Sequence, residues 1–314
     1  MATHETNSSP SADGQLDSSH TQATAVNAHH DAEPTAVEVA AKQIKQHQLQ
    51  DKIDLLSIEE PLEIVIIDEK DSVIEEQSLV VTMRTPGNDL ELAAGFLYTE
   101  GIIETYDQID EIRLGGPNTG EFGLQNKVFV RLSAGHQLDL KRFQRNFYTN
   151  SSCGICGKTS IQALSMLRNP HIPPDVPRVS WSTLQKLPSA LLKHQVQFSQ
   201  TGGIHAAALF DVEGNILDIR EDIGRHNALD KLIGAQLLNK RLPLTNTMVL
   251  VSGRAGFELI QKAVMAEIPI LAAVGAPSSL ALELAQEYGI TLVGFLREQS
   301  FNIYNGEQRL FEGI

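Results

Sequence analysis

The sequence predicts an α/β protein in which a polar tail is followed by a small α+β region and then by a larger region where strands and helices alternate. Three observations lead there. From Met1 to about Gln50 the chain is rich in Ser, Thr, Ala, Asp, Gln and His, and no sustained apolar periodicity begins before Ile53. From about Ser57 strand-like runs surround a single well-marked helix. In the second half, short runs of Val, Ile, Leu and Ala alternate with helical segments of roughly a dozen residues, the rhythm of a largely parallel sheet covered by helices. The chain has 314 residues, 42% of them hydrophobic, which is enough for a large core and favours two domains over one. The expected division is 1–50 as a disordered tail, 51–150 as the small α+β domain, and 151–314 as the main domain.

Taken in order, Leu62-Glu63-Ile64-Val65-Ile66 and Leu79-Val80-Val81-Thr82-Met83-Arg84 read as strands, the second ended by Pro86-Gly87. Asn88 is placed to cap the next helix with Glu91 at the reciprocal position; Leu92, Phe96 and Leu97 give its apolar face and Gly101 ends it. Strand-like pieces follow at Asp110 to Leu114 and Lys127 to Leu132, then an amphipathic segment from Leu138 to Phe147. In the second half a hairpin pairs Ile204 to Phe210 with Ile216 to Arg220 across Val212-Glu213-Gly214-Asn215. After the helix Ala228 to Asn239 come strand Thr247 to Val251, helix Gly256 to Ala266, strand Ile268 to Val274, helix Ser279 to Tyr288 and strand Ile290 to Leu296.

A net charge of −14 makes the whole-molecule field repel nucleic acid and anionic membranes, although a local cationic pocket remains compatible with it. No stretch approaches the roughly 18 uninterrupted apolar residues of a membrane span, and the polar start lacks a secretory signal, so the expectation is a cytoplasmic protein. The tail histidines His4, His20, His29, His30 and His47 are scattered among polar residues and are expected to stay solvated rather than bind metal.

The chemistry centres on Cys153-Gly154-Ile155-Cys156-Gly157, which holds the only two cysteines. A crosslink there would close almost no loop, so a structural disulfide has little to offer. The pair precedes a helical pattern of Ile161, Leu164 and Leu167, and a helix N-terminus with Lys158 nearby would stabilise a thiolate. The flanking glycines leave the sulfur accessible to a bulky partner. Dithiol exchange, half of a metal site and a persulfide relay all fit such a pair. A zinc half-site would need two more ligands such as His194, His205 or His226, none of which shows paired ligand spacing, so no metal site is expected.

Further along come Thr201-Gly202-Gly203-Ile204-His205, Arg220-Glu221-Asp222-Ile223-Gly224-Arg225-His226-Asn227, Ser252-Gly253-Arg254 and Leu292-Val293-Gly294-Phe295-Leu296-Arg297. With the cysteine motif and Met83-Arg84-Thr85-Pro86-Gly87, these resemble the formate dehydrogenase accessory sulfurtransferase family, FdhD/NarQ, from about Glu59 to the C-terminus. The resemblance implies a cytidine deaminase-like three-layer α/β sandwich as main domain, without that enzyme's zinc chemistry, and a homodimer. It also implies a sulfur carrier that takes persulfide sulfur from a cysteine desulfurase onto Cys153, with Cys156 assisting. The sulfur then passes to molybdenum bis(molybdopterin guanine dinucleotide), as formate dehydrogenase requires; GDP would mimic that cofactor. The alternatives are a cofactor-binding chaperone without sulfur transfer and a dithiol oxidoreductase.

Cofactor contacts are expected in three places. Ser252-Gly253-Arg254 lies between a buried strand and a helix, where free N–H groups and an Arg hold phosphate, although the spacing alone equally suits a tight turn. Phe295-Leu296-Arg297-Glu298-Gln299-Ser300 matches the segment to which the family's cofactor contact is assigned; relatives often carry Arg where Ser300 stands, which leaves one cation fewer here. Arg225 and His226 are pocket candidates, with Asp222 and Arg225 open to reading as a structural ion pair. His205, on an apolar strand, reads as a core histidine rather than a ligand.

Overall fold

The computed structural model describes Met1 and residues 33–70, 73–133, 170 and 172–313. The cysteine motif, the Leu138 to Phe147 segment and the helical pattern after Cys156 lie outside the described residues.

An antiparallel ribbon comes first, β1 (Ala36–Lys45) paired with β2 (Gln48–Ser57), and its turn is made by Gln46 and His47 at φ of 51° and 64°. Residues 36–50, expected within the tail, belong to this ribbon. The strands escape sequence detection because alternation becomes visible only when one face is buried, and here Ala36 alone is buried.

Four strands then form a mixed sheet, β3 (Glu60–Lys70), β4 (Val73–Arg84), β5 (Ile109–Thr119) and β6 (Leu124–Leu132), in the order β4-β3-β6-β5, with β3 parallel to β6. Leu62, Ile64 and Ile66 alternate onto the core face, and so do Val128 and Val130. Helix α1 (Asp89–Thr99) packs there through Leu92, Ala93 and Leu97. Gly101 ends it at φ 70°, with Ile102 N–H bonded to Leu97 O at 2.8 Å. The expected capping box is not formed. Asn88 is left-handed with no side-chain cap bond, and Glu91 instead accepts from Arg220 Nη2 at 2.8 Å, a charge-assisted bond from across the chain.

The second half begins with β7 (Val179–Ser180), α2 (Trp181–His194) and α3 (Val196–Thr201). The expected hairpin follows as β8 (His205–Phe210) and β9 (Ile216–Asp222), then α4 (Arg225–Leu238), β10 (Met248–Val251), α5 (Phe257–Met265), β11 (Ile270–Ala273), α6 (Ser279–Glu287), β12 (Thr291–Gly294) and β13 (Asn302–Asn305). The sheet order is β13-β12-β11-β10-β8-β9. Only β10, β11 and β12 run parallel; the hairpin and β13 are antiparallel additions, so the sheet is mixed rather than largely parallel.

Val249, Val251, Leu271 and Ala273 face α4, α5 and α6, while Met248, Leu250, Ile270 and Ala272 face α2. Burial on both faces explains the unbroken apolar runs of these strands. One apolar core joins the first sheet, α1, α4 and the near face of the second sheet, so the two expected domains share their interior. At the crossing of α1 and α4, a Cβ on Gly95 would lie 1.9 Å from Asp230 O, and one on Gly234 1.8 Å from Glu91 O. The two backbones meet where neither helix has a side chain. Among the described residues no helix is long and apolar enough to cross a membrane.

Candidate functional site

Each of the three parallel strands ends in a loop at the same edge, and backbone bonds stitch these loops together. Gly275 N–H donates to Gly253 O at 2.9 Å, and Phe295 N–H donates to Gly275 O at 3.1 Å. Residue 275 must be glycine, because a Cβ would fall 2.9 Å from Gly253 O and 3.0 Å from Arg254 Cα. Gly275 therefore brings the 252–256 and 295–300 segments into one continuous rim, the carboxyl edge at which α/β sheets bind ligands. Sequence reading passed it over, although Gly275-Ala276-Pro277 directly after a buried strand was the available signal.

The antiparallel hairpin brings the remaining candidates to this rim. His205 opens β8 opposite Asp222, the last residue of β9, and α4 starts three residues later at Arg225. Ser252 N–H bonds to Ala206 O and Ser252 Oγ accepts from Ala206 N–H, both at 2.9 Å, which ties the loop after β10 to β8. Gly253 then lies against the histidine: a Cβ there would meet His205 Cε1 and Nδ1 at 3.4 Å and Arg225 Cδ at 3.8 Å. His226 Nε2 lies 2.8 Å from Glu258 Oε2 in the first turn of α5, at ion-pair distance but out of line for a hydrogen bond. This contact, outweighing the cost of burial, holds the Glu258 carboxyl below its ordinary range.

Three guanidinium groups border the rim. Among the described residues, Arg225 and Arg254 carry no side-chain hydrogen bond or ion pair, whereas Arg297 donates through Nη1 to Val274 O and Leu296 O, both at 2.8 Å. Helices α4 and α5 both start at glycine N-caps, Gly224 and Gly256, with no side-chain cap. Uncapped first-turn N–H groups beside free guanidinium groups favour an anion of phosphate type.

The 295–300 segment divides by face. Phe295 is 44% exposed and held at φ 52°, whereas Leu296 is fully buried in the core beneath α2. Leu296 therefore offers a ligand no side chain. Arg297 N–H bonds to Ser300 O at 2.9 Å, which closes the loop and leaves Glu298, Gln299 and Ser300 exposed on it. Cys153 and Cys156 lie outside the described residues.

A buried scaffold supports the Arg225–His226 corner. Asp222 pairs with Lys231 Nζ at 2.7 Å, both side chains essentially inaccessible, and not with Arg225. Its carboxylate also accepts from Gly224 N–H at 2.8 Å, Thr85 N–H at 3.2 Å and Asn227 Nδ2 at 3.2 Å. Thr85 completes the clamp: its Oγ1 accepts from Ile223 N–H at 3.1 Å and its carbonyl from Lys231 Nζ at 2.8 Å. The Met83 to Gly87 motif of the first half is thus a buttress for the site in the second. Thr85 was not legible as a site residue because its partners Asp222, Ile223 and Lys231 lie more than a hundred residues away in sequence, and Lys231 was passed over because Arg225 stands nearer to Asp222 along the chain.

His205 is at the rim and half-buried, not in the core. Burial first, then Arg225 and His226, push its pKa below the ordinary imidazole value. In the window between the unfolded value of about 6.5 and the depressed folded value, the unfolded chain binds more protons. Stability from this group is therefore complete above that window and is lost as pH falls through it. Urea unfolding of His205→Gln is expected to show a flatter pH dependence just below pH ~6.5 than the parent; parallel curves would contradict the placement.

The comparisons with known proteins agree with this architecture. A profile described as the FdhD/NarQ family matches residues 58–311. Proteins named sulfur carrier protein FdhD match at 50% identity in Mycolicibacterium paratuberculosis, covering 82% of this chain and 92% of the relative, and at 50% in Streptomyces avermitilis, covering 82% and 89%. The protein of that name from Sulfolobus acidocaldarius is 41% identical, with 82% and 91% covered. A crystal structure from Desulfotalea psychrophila, provisionally described as a formate dehydrogenase accessory protein, superposes with a TM-score of 0.67 at 24% identity over 88% of this chain and 100% of that one. That likeness extends the agreement to the fold, and the family match spans both sheets, the buttress motif, the rim loops and the cysteine pair: the chain belongs to the FdhD/NarQ family.

Proposed function

We propose that this protein is a sulfur carrier for formate dehydrogenase maturation. It accepts persulfide sulfur from a cysteine desulfurase on Cys153 and delivers it to molybdenum bis(molybdopterin guanine dinucleotide) held at the rim. The observation that carries the cofactor half is the gathering of Arg225 and Arg254, free of partners among the described residues, beside two uncapped helix N-termini. The names of the relatives support the sulfur half. The same reading takes the covered six-stranded sheet as a cytidine deaminase-like sandwich and the working unit as a cytoplasmic homodimer.

In the loading step the Cys153 thiolate attacks the terminal sulfur of the donor persulfide. A new S–S bond forms on Cys153, the donor's S–S bond breaks, and the donor cysteine leaves as a thiolate, so no net electrons are exchanged. Cys156 assists by tuning the thiolate or by accepting the sulfur in turn. At the rim, Arg225 and Arg254 hold the phosphates, GDP standing in for the guanine end of the cofactor, and exposed Phe295 offers an aromatic face beside them. Arg297 is largely engaged in bracing the loops after β11 and β12.

The test is intact-protein mass spectrometry after incubation with a cysteine desulfurase and cysteine. The parent is expected to gain one sulfur that reductant removes, and Cys153→Ala is expected to lose that gain. A parent that gains nothing, or a double Cys153→Ala, Cys156→Ala variant that still activates formate dehydrogenase in cells, would overturn the carrier role in favour of a cofactor chaperone.

A further inference from the structure

His205 stands at the rim but takes no part in the sulfur-carrier chemistry. Its ring is half-buried at the rim with its Cε1–Nδ1 edge toward Gly253, and it makes no hydrogen bond among the described residues. The charged groups around it come from every element packed there. Arg225 and His226 belong to the first turn of α4, Asp222 ends β9, Arg254 stands in the loop after β10, and Glu258 in α5 is joined to His226. Asp222 is already committed to Lys231, Gly224, Thr85 and Asn227, so its charge is largely satisfied away from the imidazole. Glu258 is likewise engaged by His226. Of the charged groups around it, Arg225, whose side chain shares the Gly253 surface with the ring, acts most strongly on His205.

We propose that His205 is a proton-gated third arm of the anion site, taking a proton from solvent as an anion seats against Arg225 and Arg254. The inference rests on the anion-holding reading of the rim. Without an anion, a second positive charge beside Arg225 is repelled and protonation of the imidazole is disfavoured, in line with the depression of its pKa by burial and by Arg225. An anion reverses the balance. It neutralises the field of Arg225 and offers the protonated ring, which has two N–H donors, an acceptor that neutral His205 serves less well. By linkage, an anion that raises the affinity of His205 for a proton is itself bound more tightly as pH falls. The physical consequence is a site that grips phosphate groups in mildly acidic solution and releases them as pH rises.

Sulfate is the probe, because it is fully ionised throughout the range and any proton taken up belongs to the protein. Calorimetric titration of the full chain at pH 6 to 8, in buffers of different ionisation enthalpy, gives both affinity and protons bound per sulfate. The expected result is tightening by up to about tenfold per pH unit, the limit for one linked proton, with uptake approaching one proton near the middle of the transition. His205→Gln should lose the pH slope and the proton uptake in whatever sulfate binding it retains. Independently of any variant, the His205 imidazole resonance of the parent should titrate at higher pH with sulfate than without. Binding without proton uptake, or uptake that survives in His205→Gln, overturns this proposal and leaves the anion site standing. Absence of sulfate binding in the parent overturns the anion site itself and this proposal with it.

Discussion

Gly234→Ala is expected to destabilise the protein by about 3 kcal/mol or more, toward or beyond the upper end of overpacking changes. The added methyl would lie 1.8 Å from Glu91 O and 2.7 Å from Gly95 N. Both are backbone atoms of the opposing helix, which cannot rotate away as a side chain would, so α1 and α4 must separate. Separation opens a core that both halves share, including Leu92, Leu97, Leu229 and Ile233. Urea unfolding monitored by circular dichroism measures the effect. Gly203→Ala is the control, since the nearest atom to its Cβ would be Thr201 O at 3.9 Å. A Gly234→Ala midpoint equal to the parent's would mean that the helices do not meet at these glycines.

Removing one partner of the buttress is the second large change. Lys231→Met leaves the Asp222 carboxylate inside the protein without its cation, a type of change that costs about 3–5 kcal/mol. Both side chains of the pair are almost wholly inaccessible, so solvent cannot replace the lost charge. The effect should reach the site as well. Gly224 N–H, Ile223 N–H and Asn227 are all held through Asp222 or Thr85, and loosening them displaces Arg225. Sulfate affinity at pH 8 should therefore fall along with stability. Adding Asp222→Asn to Lys231→Met removes the stranded charge and should recover part of the stability, which a double-mutant cycle would read as strong coupling. Additive losses would show that the two residues are not a pair.

Local physical rules accounted for much of the second half. The strands at 248–251, 270–273 and 291–294 are short apolar runs because both faces of the sheet are covered, and the helices between them show ordinary amphipathic spacing. The hairpin before them followed from its loop residues. Elsewhere the same rules misled. Asn88 and Glu91 have the spacing of a capping box, but Arg220, arriving from β9, offers Glu91 a stronger charge-assisted contact. His205 sits on a strand whose next five residues are buried, so the apolar run concealed that its first position meets the rim. The ribbon at 36–57 has so little buried surface that its pattern looked like a polar tail.

By itself the sequence determined the family, the pairing of the chain's two cysteines in one glycine-flanked motif, and the apolar and glycine spacing that makes β10 to β12 with their helices. These are properties of consecutive residues, set by periodicity, turn chemistry and thiol environment. Tertiary structure decided which residues share a site. It placed Gly275 between two rim loops, turned Leu296 inward, and gave Asp222 to Lys231 instead of Arg225. It also put Thr85 beneath a turn 137 residues away. Such pairings depend on how helices cross and strands are ordered, and no local rule encodes the approach of two backbones at Gly95 and Gly234.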